Sequence, residues 1–241
     1  VRQTAGSELF RSPATSVNQL SINGSTSNDS IVVLSSGGDV STPILFSGDA
    51  GDDLFDGALA TGDVSLRGDS GSDTLLGGSG NDLLLGGAQQ DLLQGGAGND
   101  NVDGQGSSSD SVGGGSGDDT IDGGAGNDLL LDGGDADITV TNDAMTGGLG
   151  NDVLIAVERA LITGGDGANR IDLSGFFVEG FTTSTVLAGA GDDTILGSDA
   201  NEVFRGDQGD DLIISGAGND YLAGGAGADT LNGGDGNDRL R

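Results

Sequence analysis

Along most of this chain a single aliphatic residue returns every nine positions, at the eighth place of a block whose first six places hold few apolar side chains. The residues around it, as in Leu83-Leu84-Leu85 or Thr120-Ile121-Asp122, read as outward, inward, outward. That is the alternation of a very short β-strand with one core residue. The six places before the strand follow Gly-Gly-x-Gly-x-Asp. Three glycines in four positions cost about 1 kcal/mol apiece in a helix interior, so these places form a turn. One turn and one strand make half a coil. Two blocks then close one coil of a flattened roll, with same-side strands stacked at roughly 4.8 Å. The period therefore predicts an all-β fold: a right-handed parallel β-roll or β-helix solenoid of short strands joined by Gly-Asp turns.

Intact blocks occupy 77–85, 95–103, 114–122, 123–131, 147–155, 224–232 and 233–241. Blocks 48–56, 68–76, 86–94, 188–196, 206–214 and 215–223 keep the Asp and lose one or two glycines. Four segments follow. Residues 1–23 lie outside the repeat and read as a linker or N-terminal cap. Residues 24–131 form a first β-roll block that opens on a faded copy with Asp29 and Ile31 in phase. Two lapses interrupt it, 57–67 and 104–113, the second with Asp110 still available. Residues 132–187 are an irregular solenoid with insertions, in which Asn169 replaces the Asp of block 164–172. Here Val153-Leu154-Ile155-Ala156-Val157 and Phe176-Phe177-Val178 are too apolar to face water, so they are expected to pack as longer strands or loops against the roll, or to hold a partner contact. Residues 188–241 form a second β-roll block. The chain starts without Met and stops on the last residue of a repeat, as expected of a piece of a longer protein.

Composition sharpens this picture. The 241 residues include 50 Gly, 3% aromatics and no Trp, so a conventional globular core is not expected. Regular aliphatics argue against simple disorder. Asp and Glu number 39 against 8 Lys and Arg, a formal net charge of −31. Such a polyanion repels nucleic acid and anionic membrane surfaces, and its partners are cations. With no Cys and no His, zinc, copper, iron–sulfur and disulfide chemistry lose their usual ligands. Oxygen donors from Asp and backbone carbonyls suit the hard ion Ca²⁺. No stretch reaches the apolar length of a membrane span, and Val1 begins no recognisable signal peptide.

The two-block coil also predicts which aspartates meet. Asp73 should face Asp91, Asp82 should face Asp100, Asp193 should face Asp211, Asp211 should face Asp229, and Asp220 should face Asp238. Glu202 stands one coil before Asp220, where its longer side chain reshapes the site. One buried aliphatic per nine residues is too little to offset the ordering of a glycine-rich block, and stacked carboxylates repel. The metal-free chain is therefore expected to be largely disordered and the calcium-bound chain a rigid rod.

The blocks resemble those of the RTX family of secreted bacterial proteins, in which calcium-filled parallel β-rolls form outside the cell. The resemblance implies that each ion lies between turns of adjacent coils, held by Asp side chains and loop carbonyls. It carries the ligand role onto Asp53, Asp73, Asp82, Asp91, Asp100, Asp119, Asp128, Asp152, Asp193, Asp211, Asp220, Asp229 and Asp238. It also implies export by a type I system, the chain folding when it meets external calcium.

Other motifs reduce to the repeat. Arg67-Gly68-Asp69 and Arg205-Gly206-Asp207 each span places 9, 1 and 2, so they read as structural rather than adhesive. The Asn-x-Ser matches at Asn23 and Asn28 are common in such composition. Without His or Cys the chain cannot assemble a Ser-His-Asp or Cys-His centre. Paired carboxylates of glycosidase type remain, but Glu158 beside Arg159, and Glu179, read as an ion pair or loop residues. The sequence reading is a non-enzymatic, extracellular or cell-surface, calcium-binding structural or adhesive module. Its alternatives are the C-terminal β-roll of a secreted hydrolase or toxin, and a subunit that self-associates through its solenoid ends into a layer or filament.

Overall fold

The computed structural model describes residues 19–33, 42–177 and 183–241. Most of the expected linker or cap, residues 1–18, lies outside the described residues, as do Val178 and Glu179. Successive short strands alternate between two sheets, one of thirteen and one of eleven strands among the described residues, and none of these residues is helical. Leu83–Ala88, for example, pairs in parallel with Ser65–Ser70 before it and Asn101–Asp103 after it, while Thr74–Ser79 and Leu92–Ala97 pair on the other sheet. This is a parallel β-roll. Leu20–Asn23 is the first described strand of the larger sheet, paired with Ile44–Ser47.

The outward, inward, outward reading holds. The eighth place is buried at Phe55, Leu75, Leu84, Leu93, Val102, Ile121 and Leu130, with half-buried neighbours on either side except for the exposed Asn101 before Val102. The core between the sheets is thus one side chain wide. Facing aliphatics supply the hydrophobic burial, and the ladders between coils satisfy the backbone.

The middle of the chain departs from this plan. Ile138–Thr141, Ala144–Gly147 and Gly150–Ile155 form an antiparallel meander within the larger sheet. Gly150–Ile155 pairs with Thr120–Asp122 on one side, and Ile138–Thr141 pairs with Arg170–Gly175 on the other. The smaller sheet runs on unbroken through Leu129–Gly133, Arg159–Thr163 and Ser184–Ala190. Two extra strands on one face account for the difference between thirteen and eleven, and add about 10 Å of sheet there.

Two expectations are corrected in this region. Block 147–155, intact in sequence, is not a half-coil between sheets. Its glycines turn a hairpin between two strands of one sheet, because the turn at Asn142 and Asp143 has already reversed the chain. The apolar runs are not wholly buried either. Leu154, Val157 and Phe176 are, but Val153, Ile155 and Phe177 are 50%, 45% and 44% exposed, since strand alternation turns every second residue outward.

Candidate calcium sites

Each turn delivers its Asp to the mouth of a strand, and the coils bring these residues into two ladders. Beside the smaller sheet, the backbone N–H of Asp29 donates to Asp53 Oδ1, and Asp53 to Asp73, Asp73 to Asp91, Asp91 to Asp110, and Asp110 to Asp128. Asp128 then donates to Glu158 Oε2. The series resumes from Glu202 to Asp220 to Asp238. Beside the larger sheet, Val64 donates to Asp82, Asp82 to Asp100, Asp100 to Asp119, and Asp119 to Asp152. Asn169 donates to Asp193, Asp193 to Asp211, and Asp211 to Asp229. Each of these contacts is 2.7–3.1 Å long.

All five expected pairs therefore meet, each joined by a backbone N–H of one residue and the carboxylate of the next. The 18-residue spacing stretches where the turns lengthen, to 20 between Asp53 and Asp73 and to 33 between Asp119 and Asp152.

One oxygen of each carboxylate is committed to this ladder, except at Glu202, whose Oε1 is held by Ser198 within its own turn. The other is buried without a partner in Asp53, Asp73, Asp82, Asp91, Asp100, Asp110, Asp119, Asp128, Asp152, Asp193, Glu202, Asp211 and Asp220. A buried anionic oxygen without a donor is costly, so rows of them mark a missing positive charge. Burial pushes Asp53, Asp119, Asp193 and Asp211 up from their ordinary value. Asp73, Asp82, Asp110 and Asp128 reach about 6, and Asp91, Asp100, Asp152 and Glu202 about 7. Neighbouring carboxylates along the ladders add to the rise at Asp91, Asp100 and Asp152.

The turn glycines make room for that charge. A Cβ on Gly86 would lie 2.5 Å from Asp91 Oδ2 and 2.8 Å from the carbonyl oxygen of Gly104 in the next coil. The space over this Cα is thus a cradle shared by a free carboxylate oxygen and a carbonyl oxygen. Among the described residues no three acidic side chains converge on one point, so carbonyls must complete any site. Oxygen donors of this kind fit a hard divalent ion.

The comparison with family models agrees with this geometry. The RTX calcium-binding nonapeptide repeat matches residues 60–84, 77–108, 113–142, 141–154, 183–213 and 205–240, more than half of the chain. The chain belongs to the RTX calcium-binding repeat family. Calcium is its ion, and the RTX roll is a calcium-binding structural module. No curated protein sequence matches the chain.

Within the RTX roll, Asp229 and Asp238 depart from the other expected positions. Both accept a ladder hydrogen bond at 3.1 Å, but they lie in the last described coil, are half-buried, and carry no buried unpartnered oxygen. Sequence reasoning did not assign Asp110 or Glu202 to the site, although each holds such an oxygen. Asp110 sits in a turn one residue too long for the motif. Glu202 bends back so that Oε1 accepts the N–H and hydroxyl of Ser198 while Oε2 stays free. Glu158 is not an ion pair with Arg159, as expected, but a ladder member; Arg159 turns to Asn127 Oδ1 at 3.0 Å and its carbonyl at 3.1 Å. A second, outer ladder also went unread. Place 5 carries Asn or Asp whose side chain accepts the N–H of the next coil, as in Asn81 to Asn99 to Asp118. Both Arg-Gly-Asp triplets close on themselves through Arg67–Asp69 at 3.6 Å and Arg205–Asp207 at 3.0 Å.

Proposed function

We propose that this chain is a calcium-folded structural, surface or adhesive module of a secreted bacterial protein, without catalysis of its own. Its ligands are the ladder carboxylates: Asp53, Asp73, Asp82, Asp91, Asp100, Asp119, Asp128, Asp152, Asp193, Asp211 and Asp220, joined by Asp110 and Glu202. Asp229 and Asp238 continue the two ladders. The observation that carries the reading is the row of thirteen buried carboxylate oxygens without a partner. Calcium supplies the charge that these oxygens lack, and the position-1 glycines leave the space for it.

Non-catalysis is supported by the commitment of the buried acids. The oxygen that each leaves without a partner is buried in the turn, so a substrate cannot reach it to exchange a proton. Secretion is supported by the same chemistry. Unneutralised ladders oppose folding where calcium is scarce, and external calcium reverses that, which suits a chain exported unfolded.

A calcium titration of chelated protein, followed by far-UV circular dichroism and light scattering, tests this. A cooperative gain of β-structure at constant particle size is expected. Full β-structure already present in chelator would overturn the reading, and particle growth coincident with folding would move the function to self-assembly through the solenoid ends.

A further inference from the structure

The unpartnered carboxylate oxygens fall into two groups separated by a gap. The first group ends at Asp152 and the second begins at Asp193. Among the described residues inside the gap the ladder places belong to Glu158, Asn169 and Ser184, and none of them carries a buried oxygen without a partner.

Asn169 shows how. Its Oδ1 accepts the N–H of Gly165 at 3.0 Å, and its side-chain amide donates to Asp135 Oδ1 at 3.1 Å. Asp135 Oδ1 also accepts the N–H of Gly167 at 3.0 Å, which closes the same turn from outside. A carboxylate only accepts, whereas an amide donates and accepts, so this turn is complete without a metal. Ser184 Oγ accepts the N–H of Ala160 at 3.1 Å and is neutral. At Glu158 the adjacent fixed cation, Arg159, grips the preceding turn at Asn127. Asn169 and Ser184 stand on opposite ladders, and at each place a neutral side chain takes the position where the other turns supply a carboxylate, so an ion there would lack the ladder charge that offsets its desolvation.

The packing changes over the same stretch. Between 68 and 131 seven buried hydrophobics fill the core, one per block; among the described residues between Ile138 and Ala188 there are twelve. Val140, Met145, Ile162, Leu173 and Phe176 add width that the regular coils lack. Phe177 is pinned over the meander by a reciprocal pair with Asn142, N–H to Oδ1 and Nδ2 to carbonyl, both 2.8 Å.

Resting on the ligand assignment proposed above, we infer that the roll carries two separate calcium stacks, joined by a block, residues 138–177 and 183–190 of the described chain, whose described residues bind no calcium beyond Asp152 and stay folded without it. The block is a pre-formed template from which the calcium-dependent coils grow in both directions.

Hydrogen–deuterium exchange of the full chain at pH 7.5, in chelator and in millimolar calcium, tests this. In chelator, amides of 138–147 and 156–175 should exchange on the order of a hundredfold more slowly than those of 74–131 and 206–232. Calcium should bring the outer segments to the same protection. Uniform loss of protection in chelator would overturn the inference while leaving calcium folding intact; no gain anywhere on calcium addition would remove the calcium reading itself. Asn169→Asp separates the cause: it should speed exchange of 156–175 in chelator on the order of tenfold. Unchanged exchange in that variant would count against the block's own closure of its turns.

Discussion

The run from 68 to 131 and the described residues of the block, 138–177 and 183–190, lie in the same two sheets, yet they solve the same problem by different means. In the run each coil has one buried aliphatic per block and a carboxylate with a free oxygen. In the block the buried hydrophobics are more numerous, the described ladder places after Asp152 are Glu158, Asn169 and Ser184, and backbone hairpins replace one crossover. Where apolar burial is thin, an ion must hold the coils together; where it is thick, hydrogen bonds within the protein suffice. The comparison teaches that the nonapeptide period does not measure stability, since the least regular stretch is the one whose polar groups are best satisfied.

The sharpest way to break this comparison is pH in the absence of calcium. Burial holds Asp73, Asp82, Asp110 and Asp128 at about 6 and Asp91 and Asp100 at about 7, against an ordinary 3.8. The folded run therefore binds more protons than the unfolded chain. Its proton-linked stability is full below about pH 4 and is lost as pH rises through 6 to 7. Chelated protein brought from pH 8 to 4.5 should gain β-structure in circular dichroism, and the gain should map to 74–131 by exchange. Because calcium needs the charged carboxylates, its affinity should fall over the same window.

Core truncation comes next. Ile162→Ala should cost about 2–5 kcal/mol in denaturant unfolding with or without calcium. Leu93→Ala, equally buried, should cost as much with calcium and nothing measurable in chelator. Equal chelator effects for the two would erase the distinction drawn between run and block.

A smaller contrast lies in the glycines. Gly86→Ala places a methyl against Asp91 Oδ2 and the Gly104 carbonyl, and should lower calcium-loaded stability by about 1–3 kcal/mol. Gly175→Ala meets only the methyl of Thr141 at 3.0 Å, which can shift, and should cost under about 1 kcal/mol. The smallest effect is a gain. Gln89 holds φ at 80°, where the other turns use glycine, so Gln89→Gly should raise the calcium-loaded melting temperature by an amount corresponding to about 1 kcal/mol. A drop instead would show that the Gln89 side chain contributes something its conformation does not reveal.

Much of this was legible in sequence because the repeat is local. Position 8 as core, position 6 as the inner carboxylate and the glycines as turns each depend on neighbours within nine residues, and Leu75, Asp73 and Gly77 stand where the period puts them. What escaped depends on contacts across coils. Asp110 has one residue too many before it, and only its hydrogen bond from Asp91 shows that it keeps its place. In sequence Glu202 reads as reshaping its site, and only the fold shows Oε1 held by Ser198 while Oε2 stays free.

By itself the sequence determined the β-roll, its calcium and the identity of most inner carboxylates, because a nine-residue period fixes turn, strand and inward face without reference to anything distant. Tertiary structure alone decided that block 147–155 is a hairpin rather than a crossover, that Val153 and Ile155 face outward, and that Ser184 takes a ladder place. Those outcomes rest on which strand arrives beside which, over separations of 18 to 33 residues, and pairing at that range is set by the competition among whole coils rather than by any local preference.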